Sequence, residues 1–98
     1  MITSKQRSFL RKLAHNTEPT VYLGKQGLTE NIINEIDTWL EMKELVKVKI
    51  QDGCDLIPKD VANDIGKRLD AEYVQAIGKK FTLYRESKDK KQIELPKK

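Results

Sequence analysis

"VYLGKQGLTENIINEIDTWLEMKELVKVKI", residues 21–50, decides how the rest of the chain is read. Val21, Tyr22 and Leu23 form a short apolar run that stops at Gly24. Thr29 can cap a helix reaching to about Lys43, along which Ile32, Ile33, Ile36, Trp39 and Leu40 fall on one face. From Glu44 the period changes. Val46, Val48 and Ile50 alternate with Lys47 and Lys49, as in a strand with one buried face. Strand, helix and strand in immediate succession imply parallel pairing through a crossover.

Working outward, Thr3-Ser4-Lys5-Gln6 fits a capping box. Behind it Ile2, Gln6, Phe9, Leu10, Leu13 and Ala14 share one helical arc. Arg7, Arg11 and His15 follow at four-residue spacing on the other side, flanked by Lys5 and Lys12. No acidic residue lies between Ser4 and Thr17, so the outward face is almost purely basic. "NTEPT" ends that helix. On the C-terminal side "QDGCDL" reads as a loop, and Pro58 suits a first helical position. Val61, Ala62, Ile65 and Leu69 make the stripe of a third helix. "YVQAIGKKFTLYR" gives two strands joined around Gly78-Lys79-Lys80. The expected fold is one compact α/β domain of order α-β-α-β-α-β-β, a four-stranded mixed sheet packed with three helices. The domain is expected over residues 1–86. Residues 87–98, charged and without period, are expected to form a flexible tail, in which Ile93 and Leu95 are the only candidates to dock.

The chain has 98 residues, 38% hydrophobic and 35% charged, enough for one small core under an ionic surface. A single cysteine, Cys54, allows no internal disulfide and fits a reducing cytoplasm as an inert residue. No apolar run is long enough for a signal sequence or a membrane span, so a cytoplasmic protein is expected. The net charge of +4 is unevenly spread. Residues 1–28 carry five basic groups against one acidic, residues 29–78 six against eleven, and residues 79–98 eight against three. Basic ends around an acidic middle point to a polyanionic partner.

Gly24-Lys25-Gln26-Gly27 sits between a strand and a helix N-terminus. Glycines there let a sugar-phosphate backbone approach main-chain amides, and the helix dipole adds positive potential. The stretch is neither a nucleotide-hydrolysing P-loop nor a dinucleotide fingerprint, since GxxxxGK[ST] and GxGxxG are both absent. His15 is the only histidine, and no Cys/His/carboxylate spacing suggests a metal. Glu30, Glu35, Asp37 and Glu41 read as a solubilising surface that repels phosphate. Trp39 reads as core. Of Tyr22, Tyr73 and Tyr84, which could all stack on bases, two are expected to pack against the core.

"VYLGKQGLT", "ELVKVKI" and "YVQAIGKKFTLYR", in this order, resemble the YhbY-type CRM domain, a small RNA-binding module. The likeness runs from about Thr3 to Arg85 and is most specific in the GKQGLT loop, the LVKVK strand and the closing Leu83-Tyr84-Arg85. It implies a fold similar to the C-terminal domain of the third bacterial initiation factor. It also implies an RNA-contacting GxxG loop like that of KH domains, here Gly24, Lys25, Gln26 and Gly27. Single-domain bacterial members of this family are linked to precursors of the large ribosomal subunit, and plant relatives with several domains assist group II intron splicing.

The expectation is therefore a non-enzymatic, monomeric RNA-binding protein acting in large-subunit assembly. Its partner would be precursor ribosomal RNA, with no cofactor, membrane or small-molecule substrate. Gly24, Lys25, Gln26 and Gly27 would hold the backbone. Arg7, Arg11 and Lys12 would extend the positive track, with Lys5, Lys47 and Lys49 as further contacts. The rival reading is an adaptor that docks through the same helix on an acidic surface of a ribosomal protein or assembly factor.

Overall fold

The computed structural model describes residues 2–97. Its elements are α1 (Ser4–His15), β1 (Val21–Leu23), α2 (Glu30–Lys43), β2 (Leu45–Ile50), α3 (Pro58–Leu69), β3 (Glu72–Ile77) and β4 (Lys80–Tyr84). The expected order and the four-stranded mixed sheet are both present. Each helix begins where the sequence placed a start signal. Thr3 and Gln6 exchange both capping-box hydrogen bonds, Thr29 Oγ1 accepts from the Ile32 amide, and Pro58 opens α3.

Strand order is β1-β2-β4-β3. β1 and β2 pair in parallel through α2, whereas β2–β4 and β4–β3 are antiparallel. β2 and β3 therefore run the same way with β4 inserted between them. The crossover through α3 skips one strand, and the tight turn at Gly78-Lys79 then fills the gap.

The sheet has two unequal faces. On one, Val21, Leu23, Val46, Val48, Ile50, Phe81 and Leu83 meet Ile33, Ile36 and Leu40 of α2 and Val61, Ala62 and Ile65 of α3. This is the main core, with Trp39 packed at its margin. On the other, Leu10 and Ala14 of α1 meet Leu45, Val74 and Tyr84, with Ile2, Leu13, Ile93 and Leu95 at the edge. Burial, with Glu44 and Glu86 nearby, pushes the Tyr84 hydroxyl up to about 12.

The segment after Glu86 lies along the domain. Glu44 is fully buried, and its carboxylate accepts the amides of Ser87 (2.8 Å), Gln92 (2.6 Å) and Ile93 (2.7 Å). Glu41 accepts from the Ser87 hydroxyl at 2.7 Å and from the Lys88 and Asp89 amides. Further along, Gln6 Nε2 donates to the Pro96 carbonyl at 2.9 Å. The tail carries too few apolar residues to announce a docked segment. What holds it is its backbone amides, which leave no trace in composition. Asp37, too, does more than solubilise: it pairs with Arg85 at 2.7 Å, and Arg85 also donates to the Leu69 carbonyl.

Candidate nucleic-acid interface

Three connections meet at the end of the sheet where β1 and β2 finish. Leu23 and Ile50 are register partners there, the Gln51 amide donates to Leu23 O at 2.8 Å, and the Ile50 amide donates to Lys79 O at 2.7 Å. The β1–α2 loop, the β2–α3 loop and the β3–β4 turn thus share one rim. Lys25 lies across Gly53, so that a Cβ on that glycine would sit 3.5 Å from Lys25 Cγ and Cε. Lys25 itself is exposed.

Gly24 and Gly27 are glycines for different reasons. Gly27 has φ +69°, the left-handed region that a side chain strains, and its amide donates to Gly24 O at 2.9 Å to close the turn. Gly24 has no such conformation, and a Cβ there would make only an ordinary 3.5 Å contact with Gln51 Oε1. The backbone favours glycine at position 27 and has no such preference at 24. With the Gly27 amide spent, the Gly24, Lys25 and Gln26 amides of the loop have no partner among the described residues. The loop and the first turn of α2 border a shallow depression with Thr29, Asn31 and Ile32. The α2 N-terminus is not bare, however. Thr29 takes up one amide, and Glu30 stands in the first turn, paired with Arg68 at 2.7 Å.

The basic residues divide into two groups. Arg7 and Arg11 lean on the edge strand, their Nε groups donating to Tyr73 O (3.1 Å) and Val74 O (3.4 Å) beside the register shift between Tyr73 and Gln75. They are not a free outward face: they cover carbonyls that an edge strand would leave open. One turn further on, His15 reaches a depression lined by Lys47, Lys49, Gln75, Ile77, Lys80 and Thr82. Lys47 and Lys49 thus point away from the main core toward the part of the sheet that α1 does not cover. Lys5 stands in the first turn of α1, near Ile2 and its bond to Glu72, at the sheet's other end. Lys12 is exposed in the last turn of α1. The basic ends of the chain do meet, through Ile2 and Leu13 beside Ile93 and Leu95, but they meet far from the glycine loop.

Lys79 and Lys80 escaped the sequence reading as site residues. Their signal was present in the phase of β4, where Phe81 and Leu83 turn inward and Lys80 therefore turns out. The pairing that sets Lys80 opposite Lys49 was not legible. Of the three tyrosines, Tyr84 is buried and Tyr73 packs against the main core, whereas Tyr22 is 48% exposed on β1. Among the described residues no group of three or more His, Cys, Asp or Glu side chains is placed to hold a metal ion. No helix among them is long and apolar enough to cross a membrane.

The chain is 44% identical over 96 residues to the probable RNA-binding protein YqeI of Bacillus subtilis, covering 98% of this chain and 100% of that one. It is 43% identical over 98 residues to an RNA-binding protein of Haemophilus influenzae, covering 99% and 97%. The solution structure of SAV1595 from Staphylococcus aureus superposes with a TM-score of 0.79 at 43% identity, covering 98% of this chain and 100% of that one. The family model of the CRS1/YhbY (CRM) domain matches residues 2–85, and the chain belongs to that family.

Proposed function

We propose that this protein binds RNA, gripping its backbone at the rim where the glycine loop meets the uncovered basic part of the sheet. One observation carries the reading. The unpartnered Lys25 and Gln26 amides, the Lys25 ammonium and the Lys47–Lys49 pair all gather at or beside one end of the sheet, and Glu30, the acid nearest the loop, is paired with Arg68. Amides and lysines in such a cluster recognise phosphate and position a strand without reading its sequence. Relatives over the whole chain length carry names that specify RNA binding, which supports RNA as the polyanion. That the RNA is precursor ribosomal RNA of the large subunit is what the family resemblance implies, and a cytoplasmic monomer without catalysis belongs to the same proposal.

The purified protein alone should bind RNA in a filter assay. If about five phosphates are neutralised, log K should fall against log[salt] with a slope of about −3.5, at roughly −0.7 per single-strand contact. Absence of binding, or a slope near zero, would overturn the proposal and favour docking on a protein surface.

A further inference from the structure

The strand register aligns four side chains on the uncovered face. Tyr22 pairs with Lys49, Lys49 with Lys80, and Lys80 with Ile77, so one row crosses all four strands in the order Tyr-Lys-Lys-Ile. At the usual strand spacing it is about 14 Å long. It is the row nearest the glycine loop, because Tyr22 precedes Gly24 by two residues.

Folding has no use for this arrangement. Two like charges directly opposite each other on neighbouring strands are destabilising. Neither Lys49 nor Lys80 has a carboxylate within ion-pair distance among the described residues. The ends of the row are apolar yet open, with Tyr22 48% and Ile77 60% exposed. Adjacent uncompensated cations call for an anion between them, and open apolar groups on either side call for flat apolar surface. A single nucleic-acid strand offers both, phosphate and unstacked base. A duplex keeps its base faces hidden.

Building on the RNA-binding reading, we propose that the Tyr22-Lys49-Lys80-Ile77 row binds single-stranded RNA. The strand leaves the glycine loop and crosses the sheet, a phosphate lodges between Lys49 and Lys80, and a base stacks on the Tyr22 ring. Stacking uses the ring and leaves the hydroxyl idle.

The test compares a single-stranded oligouridylate with an RNA duplex of equal length, using wild type, Lys49→Ala/Lys80→Ala, Tyr22→Ala, Tyr22→Phe and Gly27→Asp. The double lysine variant should bind the single strand about tenfold or more weakly and lose about 0.7 from the salt slope for the one phosphate lodged between the two lysines. Its melting temperature should equal or exceed that of wild type, because repulsion is relieved. Tyr22→Ala should lose about tenfold, within the range of one stacked base, and Tyr22→Phe should bind as wild type does. Row variants that bind like wild type while Gly27→Asp loses binding would overturn the row and leave the loop reading intact. Equal losses on the single strand and the duplex would overturn the single-strand assignment. Wild type that binds neither RNA would overturn both.

Discussion

The two faces of this sheet are built from the same alternating strands and meet different fates. The face under α2 and α3 is closed along its whole length, with Val48, Phe81 and Leu83 fully buried or nearly so. The opposite face is closed only where α1 and the C-terminal segment reach. Its 12 residues span about 18 Å, and they cover Leu45, Val74 and Tyr84 before the chain turns away. Beyond His15 the same strands present Lys47, Lys49 and Lys80. Closed surface is where the fold is held; uncovered surface carries residues the fold does not need. Stability and binding should therefore separate between the faces.

The sharpest stability contrast lies between neighbours in β4. Phe81→Ala removes a fully buried ring from the closed face and should cost about 3–5 kcal/mol in urea denaturation, a large part of what a domain this size has. Lys80→Ala, one residue earlier on the open face, should change stability by no more than about 0.5 kcal/mol. Comparable losses would end the distinction between the faces.

A second break concerns the tail. Glu44→Ala removes the acceptor for three amides and should cost on the order of 1–3 kcal/mol. Residues 87–96 should then lose protection in hydrogen exchange, while affinity for RNA stays unchanged. Restored protection with glycine is not expected. Glu44 has φ +67°, which glycine would relax, but the carboxylate is what holds the tail.

Acidification should loosen the same segment. The Ser87 hydroxyl, then the Lys88 amide, hold the Glu41 carboxyl below its ordinary value of 4.5. A lowered folded-state value means the stabilisation is present above the unfolded value and is lost as pH falls through the folded one. Melting temperatures of wild type and Glu41→Gln should therefore converge as pH drops below about 4.5. A gap that persists unchanged at pH 3 would contradict the assigned bonds.

The smallest stability effects fall in the loop, where they discriminate best. Gly27→Ala should cost about 1 kcal/mol, the strain of a left-handed residue with a side chain. Gly24→Ala should lie within about 0.5 kcal/mol of wild type, yet lower RNA affinity if a backbone approaches the strand end closely. Lys25→Ala should weaken binding by about 1 kcal/mol, as for one charge-assisted contact.

Most of the fold could be read before any coordinates. Thr3-Gln6, Thr29 and Pro58 are local signals, and the switch from helical to alternating period at Glu44 marks the crossover. What stayed hidden depends on contacts distant in sequence. Helical spacing groups Arg7 with Arg11, but nothing nearby in sequence shows that both cover carbonyls of β3. Glu44 looks like one more acid at a helix end, whereas burial makes it the anchor of a segment more than forty residues away. The GKQG loop was legible as a motif, because its glycines are local. The lysine pair across β2 and β4 was not, because register is set by the whole sheet.

We propose above all that RNA is held at the glycine-loop end of the sheet. Amide chemical-shift mapping during titration with a single-stranded oligoribonucleotide tests it directly. The predicted result is progressive shifts of the Lys25, Gln26 and Gly27 amides and of the neighbouring residues of β1 and β2, with the tail and the outward side of α2 unmoved. Binding that leaves Lys25 and Gln26 in place while shifting the tail or α2 would contradict the account.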